Sequence, residues 1–159
     1  YERERKILLA GDHILKEITP NIAQWEENTN PLKQYLASLD KIEKYSVDLV
    51  LPGHRTSFSD MRKRVAQIKG HHRDRLRELM QVFNSSPETP YAIASKIKWD
   101  LSYTDWEEIP LAQKYFATTE ALAHLTYLQE KELMDVEFKH GKYLYFPKVV
   151  SLQELELNL

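Results

Sequence analysis

Residues 6–15 read KILLAGDHIL. The apolar run from Lys6 to Ala10, with Gly11-Asp12 behind it, reads as a buried strand that ends in a loop. The pattern returns at residues 47–54, VDLVLPGH, where a second buried strand, Val47 to Leu51, is halted by Pro52-Gly53-His54. Between the two, Thr19-Pro20-Asn21 marks a loop. Asn30-Pro31 then opens a helix, with Asn30 as its cap and Pro31 at its first position. Leu32, Leu36, Leu39 and Ile42 recur at spacings of 4, 3 and 3, which is one face of that helix. Strand, helix, strand predicts an α/β layer whose strands are neighbours in a larger sheet.

Downstream the periodicity turns helical. Ser59 is the expected cap of a helix carrying Met61, Val65, Ile68, His72, Leu76, Leu79 and Phe83 at spacings of 4, 3, 4, 4, 3 and 4. That pattern predicts about 24 helical residues, stopped by Asn84-Ser85-Ser86-Pro87. Thr89-Pro90 opens a short helix through Lys98 with Ile93 and Ile97 inward, and Trp106 to Pro110 is a connection. Leu111, Tyr115, Thr118, Leu122 and Leu125 mark another helix, running on toward Leu133. Val136–Lys139 and Lys142–Phe146 alternate around His140-Gly141, a hairpin pattern. Helices followed by a hairpin is the order of a winged helix. The expected division is an α/β part over 1–60, a helical winged-helix-like domain over 61–147, and a tail, 148–159, that the pattern leaves unassigned.

Composition narrows the classes. The chain has 159 residues, 42% apolar and 29% charged, which fits a soluble globular protein of one or two domains. A net charge of −2 gives no global drive toward nucleic acid or an anionic membrane. The absence of cysteine excludes a disulfide framework, a thiolate metal site and a cysteine nucleophile. No apolar run approaches the roughly 20 residues of a membrane span, and no signal-peptide pattern is visible, so a cytoplasmic location without membrane attachment is expected. Four glycines, Gly11, Gly53, Gly70 and Gly141, are too dispersed for a phosphate loop, and there is no Gly-x-Ser-x-Gly elbow. Tyr1 in place of Met, followed at once by a charged lead-in, sets the expectation that the chain is a fragment.

Asp12 and His54 each follow a glycine just past the carboxyl end of an expected strand, the place where open α/β sheets bind ligands. A carboxylate and an imidazole suit zinc, iron or manganese, and a carboxylate can bridge two cations. On spacing alone the bland alternative is commoner: a loop Asp satisfying backbone N–H groups, and a surface His.

The local strings alter that balance. Leu8–Leu15 resembles the strand-Gly-Asp segment of metallo-β-lactamase-fold hydrolases, and Leu49–His54 resembles the strand-Pro-Gly-His segment that follows it there. The string HHRDRLRE at residues 71–78 resembles the link into a C-terminal winged-helix-type module found in one branch of that superfamily. The resemblance implies an α/β fragment, the C-terminal part of an αββα fold, followed by a mainly helical winged-helix-like domain. It implies a metal-dependent hydrolase with two divalent ions, zinc first and iron or manganese as alternatives. Asp12 would bridge both ions and His54 would ligate one. His13, next to the bridging position, enters as a supporting catalytic residue that orients Asp12 or meets the substrate.

Two departures matter. The family commonly continues Pro-Gly-His-Gly, whereas position 55 is Arg55; either the loop differs, or Arg55 faces an anionic group of the substrate. The His-x-His-x-Asp-His motif is absent, and His71, His72, His124 and His140 show no compensating spacing. The chain alone is therefore expected to be inactive and to bind no catalytic metal tightly. The parent's expected substrate is a small-molecule ester or thioester, with a lactone or an RNA phosphodiester as further candidates.

The long helix is basic through Arg62, Lys63, Arg64, Lys69, Arg73, Arg75 and Arg77, which reads first as a solvated face and second as a phosphate patch. Arg73 is the expected partner for a carboxylate of the neighbouring module. DNA is disfavoured, because the helix from Leu111 offers Lys114 but also Glu120, Glu130 and Glu132. The rival to the hydrolase reading is a winged-helix nucleic-acid-binding or oligomerisation module, a homodimer included.

Overall fold

The computed structural model describes residues 1–83 and 86–148. Its elements are β1 (Ile7–Gly11), α1 (Pro31–Ile42), β2 (Leu49–Pro52), α2 (Met61–Gln81), α3 (Pro90–Ala94), a 3-10 turn (Trp106–Glu108), α4 (Leu111–Glu130), β3 (Met134–Lys139) and β4 (Lys142–Pro147). The tail from Val149 and the pair Asn84-Ser85 lie outside the described residues. Two compact units are present, Tyr1–Asn21 with Gln34–His72, and Ile22–Lys33 with the chain from Arg73 onward. The division between them falls inside α2, after His72.

In the first unit β1 and β2 pair in parallel, Ile7 with Leu49, Leu8 with Val50, and Leu9 with Leu51, with an irregularity before Gly11 meets Pro52. The second strand begins at Leu49 rather than Val47. Ahead of it, Asp48 N–H donates to the Lys6 carbonyl at 2.9 Å. Leu8 and Val50 are buried on one face, and Leu9, alternating to the other, is 73% exposed. The unit's buried set includes Ile14, Leu15, Leu39, Val65 and Ile68, each contributing about 1.5–3 kcal/mol by leaving water.

The N-terminus of α2 is capped by Asp60, whose Oδ1 accepts from Lys63 N–H at 3.1 Å, and not by Ser59. Asp60 directly precedes the first helical residue and reaches the third, the geometry a cap needs. The basic α2 is engaged within the chain at several points. Arg64 donates from Nε to the Leu15 carbonyl at 2.6 Å and from Nη2 to the Ile18 carbonyl at 2.8 Å. Lys69 pairs with Asp40 and Glu43.

In the second unit Asn30 caps α1 as its sequence predicts, accepting from Lys33 N–H at 3.0 Å. Thr89 caps α3, and Pro90 occupies its first position. This helix ends at Ala94, short of Lys98, where Ser95 Oγ donates back to the Ala92 carbonyl at 2.8 Å. Helix α4 stops at Glu130, short of Leu133. Glu132 takes φ +59, and Leu133 N–H returns to the Leu128 carbonyl at 3.0 Å, a left-handed C-terminal cap. His140 and Gly141 both have positive φ, as a type I′ hairpin turn requires, and Lys139 pairs with Lys142 across it.

Arg75 is 8% exposed. Its guanidinium lies 4.3 Å from the Trp99 ring centroid and donates to Glu78 at 2.7 Å and to the Lys98 carbonyl at 3.0 Å. Arg75 rather than Arg73 thus provides the buried basic contact of this unit. The buried set there is Ile93, Ile97, Ala121, Leu125, Leu128 and Met134, among others.

Candidate metal-binding site

Because β1 and β2 run parallel, their carboxyl ends lie side by side. One further backbone bond carries the pairing past the strands: Gly53 N–H donates to the Gly11 carbonyl at 2.7 Å. Gly11 turns the chain at φ +53. Asp12 and His54 follow these two glycines and meet, Asp12 Oδ1 lying 3.4 Å from His54 Nε2. Both side chains are open to solvent, 65% and 67% exposed. Gly53 leaves room for the Asp12 carboxylate. A Cβ there would stand 2.6 Å from Asp12 Oδ1 and 3.2 Å from the Gly11 carbonyl carbon.

His13 turns toward α1. Its Nε2 is 2.5 Å from Ser38 Oγ, and Ser38 Oγ is 2.7 Å from the Tyr35 carbonyl, to which it donates. The single hydroxyl proton of Ser38 is spent on that carbonyl, so His13 Nε2 must carry the proton it shares with Ser38. Tyr35 completes the knot, its OH donating to the His13 carbonyl at 2.8 Å. The Tyr35 ring stands edge-on to His13 at 5.4 Å and to His72 at 5.6 Å. Burial lowers the His13 pKa. Burial also pushes the Tyr35 hydroxyl up to about 12, against the pull of the nearby Arg64 charge.

Arg55 adopts φ +66, which glycine takes freely. Its Nη1 lies 3.2 Å from Glu17 Oε2, both side chains more than half exposed. Beside it Lys16 Nζ donates to Thr56 Oγ1 at 3.1 Å. Left-handed backbone costs a non-glycine residue about 1–2 kcal/mol, and an exposed ion pair returns about 0–1 kcal/mol. Position 55 therefore does not gain folding stability from being arginine.

Two donors are fewer than the three or four that a zinc site takes from protein. Among the described residues no group of three or more His, Asp or Glu converges. His124 is buried within α4 against the Glu120 carbonyl at 2.8 Å, and His140 turns the β3–β4 hairpin. Asp12 and His54 thus fit part of a metal site, of the hard-oxygen and imidazole kind. Ser38, Tyr35, Glu17 and Arg64 were not singled out as parts of the site from sequence. Ser38, a polar residue between Leu36 and Leu39 of the apolar helix face, is the one that pattern could have flagged.

No protein-family profile matches the sequence, and no curated protein matches it. Solved structures do. A metallo-β-lactamase family protein from Thermus thermophilus is 31% identical, with a TM-score of 0.76 over 93% of this chain and 44% of that one. A β-lactamase domain protein from Burkholderia ambifaria is 30% identical, with a TM-score of 0.81 over 93% of this chain and 43% of that one. The chain spans less than half the length of either protein, and over that span it has the metallo-β-lactamase fold.

Proposed function

We propose that this chain is the C-terminal part of a metal-dependent hydrolase of the metallo-β-lactamase superfamily, contributing Asp12 and His54 to a two-metal centre whose other ligands lie elsewhere in the parent protein. The observation that carries the reading is the Asp12–His54 pair at 3.4 Å, built on the Gly53–Gly11 backbone bond at the ends of two parallel strands. A loop Asp and a surface His placed by chance would need neither that bond nor a glycine shaved to fit the carboxylate.

Asp12 has two oxygens and is the candidate bridge; His54 offers an imidazole nitrogen to one ion. Zinc suits this donor pair first, with iron or manganese as alternatives. The bound ions would polarise the scissile carbonyl or phosphoryl group and lower the pKa of a bound water. The His13–Ser38–Tyr35 knot holds the turn that carries Asp12, a positioning role of the kind that ligand-bearing segments need. The proposed substrate is a small-molecule ester or thioester, with a lactone or RNA phosphodiester next. The second unit, with α3, α4 and the β3–β4 hairpin in that order, is read as a winged-helix-like module.

The test is ester hydrolysis by the full parent protein, with and without chelator, in the wild type and in Asp12→Ala. Activity that is lost on chelation and abolished by the substitution is the expected result. Unchanged turnover in Asp12→Ala would sink the assignment.

A further inference from the structure

We propose that Arg55 anchors an anionic group on the substrate, a carboxylate or a phosphate, and that Glu17 holds the guanidinium when no substrate is present. This rests on the hydrolase reading above. Three observations carry it. Arg55 is covalently adjacent to His54, so its side chain leaves the backbone at the mouth of the candidate metal site. Its φ of +66 is one that glycine adopts freely and arginine does not. The exposed pair with Glu17, at 3.2 Å, does not offset that strain. The loop would fold as well or better with glycine there, so stability does not account for arginine at position 55.

The chemistry of that use follows from the group. A guanidinium is always charged and presents a planar fork of donors matched to carboxylate and phosphate oxygens. Glu17 already occupies it with such a carboxylate, so the side chain is held in an orientation that accepts an anion. A substrate anion would take the place of Glu17 rather than recruit a free side chain. Glu17 is correspondingly exposed and can withdraw. The rival account is a static clasp, in which Arg55–Glu17 and Lys16–Thr56 tie the two ligand-bearing loops together and nothing else.

The two accounts part under substitution. The Nε–H resonance of Arg55 in this chain, assigned by its loss in Arg55→Gly, is followed while succinate or inorganic phosphate is added. An anchor responds to one or both anions, and Glu17→Gln, which removes the competing carboxylate, tightens that binding at least five-fold. Succinate and phosphate in separate titrations tell the two anion classes apart. A resonance that moves with neither anion, in the wild type and in Glu17→Gln alike, overturns the proposal. In the full parent, Arg55→Gly lowers the ratio of kcat/KM for a carboxylate-bearing aryl ester to that for its neutral counterpart by ten-fold or more. An unchanged ratio in an active parent overturns the anchor alone. A parent that hydrolyses neither aryl ester nor the corresponding thioesters, lactone or RNA phosphodiester overturns the hydrolase reading, and the substrate role of Arg55 with it.

Discussion

Replacing Gly53 by alanine separates folding from ligation at one atom. The new methyl would stand 2.6 Å from Asp12 Oδ1, so the carboxylate must retreat by roughly 1 Å to reach ordinary contact. It can do so, because Asp12 is exposed and short, at about 0.5–1.5 kcal/mol for the off-rotamer side chain. The Gly11 carbonyl carbon at 3.2 Å must also yield by a few tenths of an ångström. Losing a glycine returns about 0.4–1 kcal/mol through the unfolded chain, since Gly53 is not among the positive-φ residues. The net cost to folding is then about 0–1 kcal/mol, or roughly 0–4 °C in Tm for a chain of this size. The proposed ligation by Asp12 fares worse. Metal–ligand distances tolerate about 0.2 Å, so a displacement of this size takes Asp12 out of register, and disturbances of ligand orientation lower metal affinity about 10–100-fold. Thermal melts of this chain and zinc competition titrations of the full parent measure the two effects separately. A variant that melts far below wild type while keeping its zinc affinity would refute the reasoning, as would one that changes neither.

Tyr35→Phe removes the hydroxyl that donates to the His13 carbonyl at 2.8 Å, and should cost about 1 kcal/mol near neutral pH in a denaturant titration. The Tyr35 pKa is raised to about 12, so its neutral form contributes stability that is fully present below pH 10 and lost as pH rises toward 12. The gap between wild type and Tyr35→Phe should therefore narrow across that window; a gap that stays constant would show that the hydroxyl titrates alike folded and unfolded. In the second unit, Arg75→Lys forfeits the fork that donates to Glu78 and the Lys98 carbonyl and stacks on Trp99. It should cost about 1–3 kcal/mol in urea unfolding, while Arg73→Lys stays within about 0.5 kcal/mol. Equal effects at 73 and 75 would contradict the buried placement of Arg75.

What the sequence made legible is what depends on neighbours along the chain. Asn30-Pro31 marks the start of α1 and His140-Gly141 turns the hairpin, because capping and type I′ geometry are decided within a few residues. The placement of Asp12 and His54 at strand ends was legible, although their 3.4 Å separation needs the parallel register to exist. What stayed hidden is decided across the fold. Arg64 read as one cation among seven on a basic helix, and its partners are carbonyls of the loop after β1. Nothing near Arg73 or Arg75 tells which one meets Trp99. The end of α4 short of Leu133 was missed because Glu132, not a glycine, takes the left-handed position.

Leu9 points away from the buried face of β1 and is 73% exposed. Parallel strands are ordinarily covered on both sides, so this face is an adhesive surface whenever nothing lies over it. Phe58 bonds to Val50 and Glu2 bonds to Ile7, which blunts the borders of the sheet against stray strands, yet neither shields the leucine. Handling the chain by itself is thus a colloidal problem before it is an enzymological one. A polar residue at position 9 would make that face less adhesive without touching Asp12 or His54.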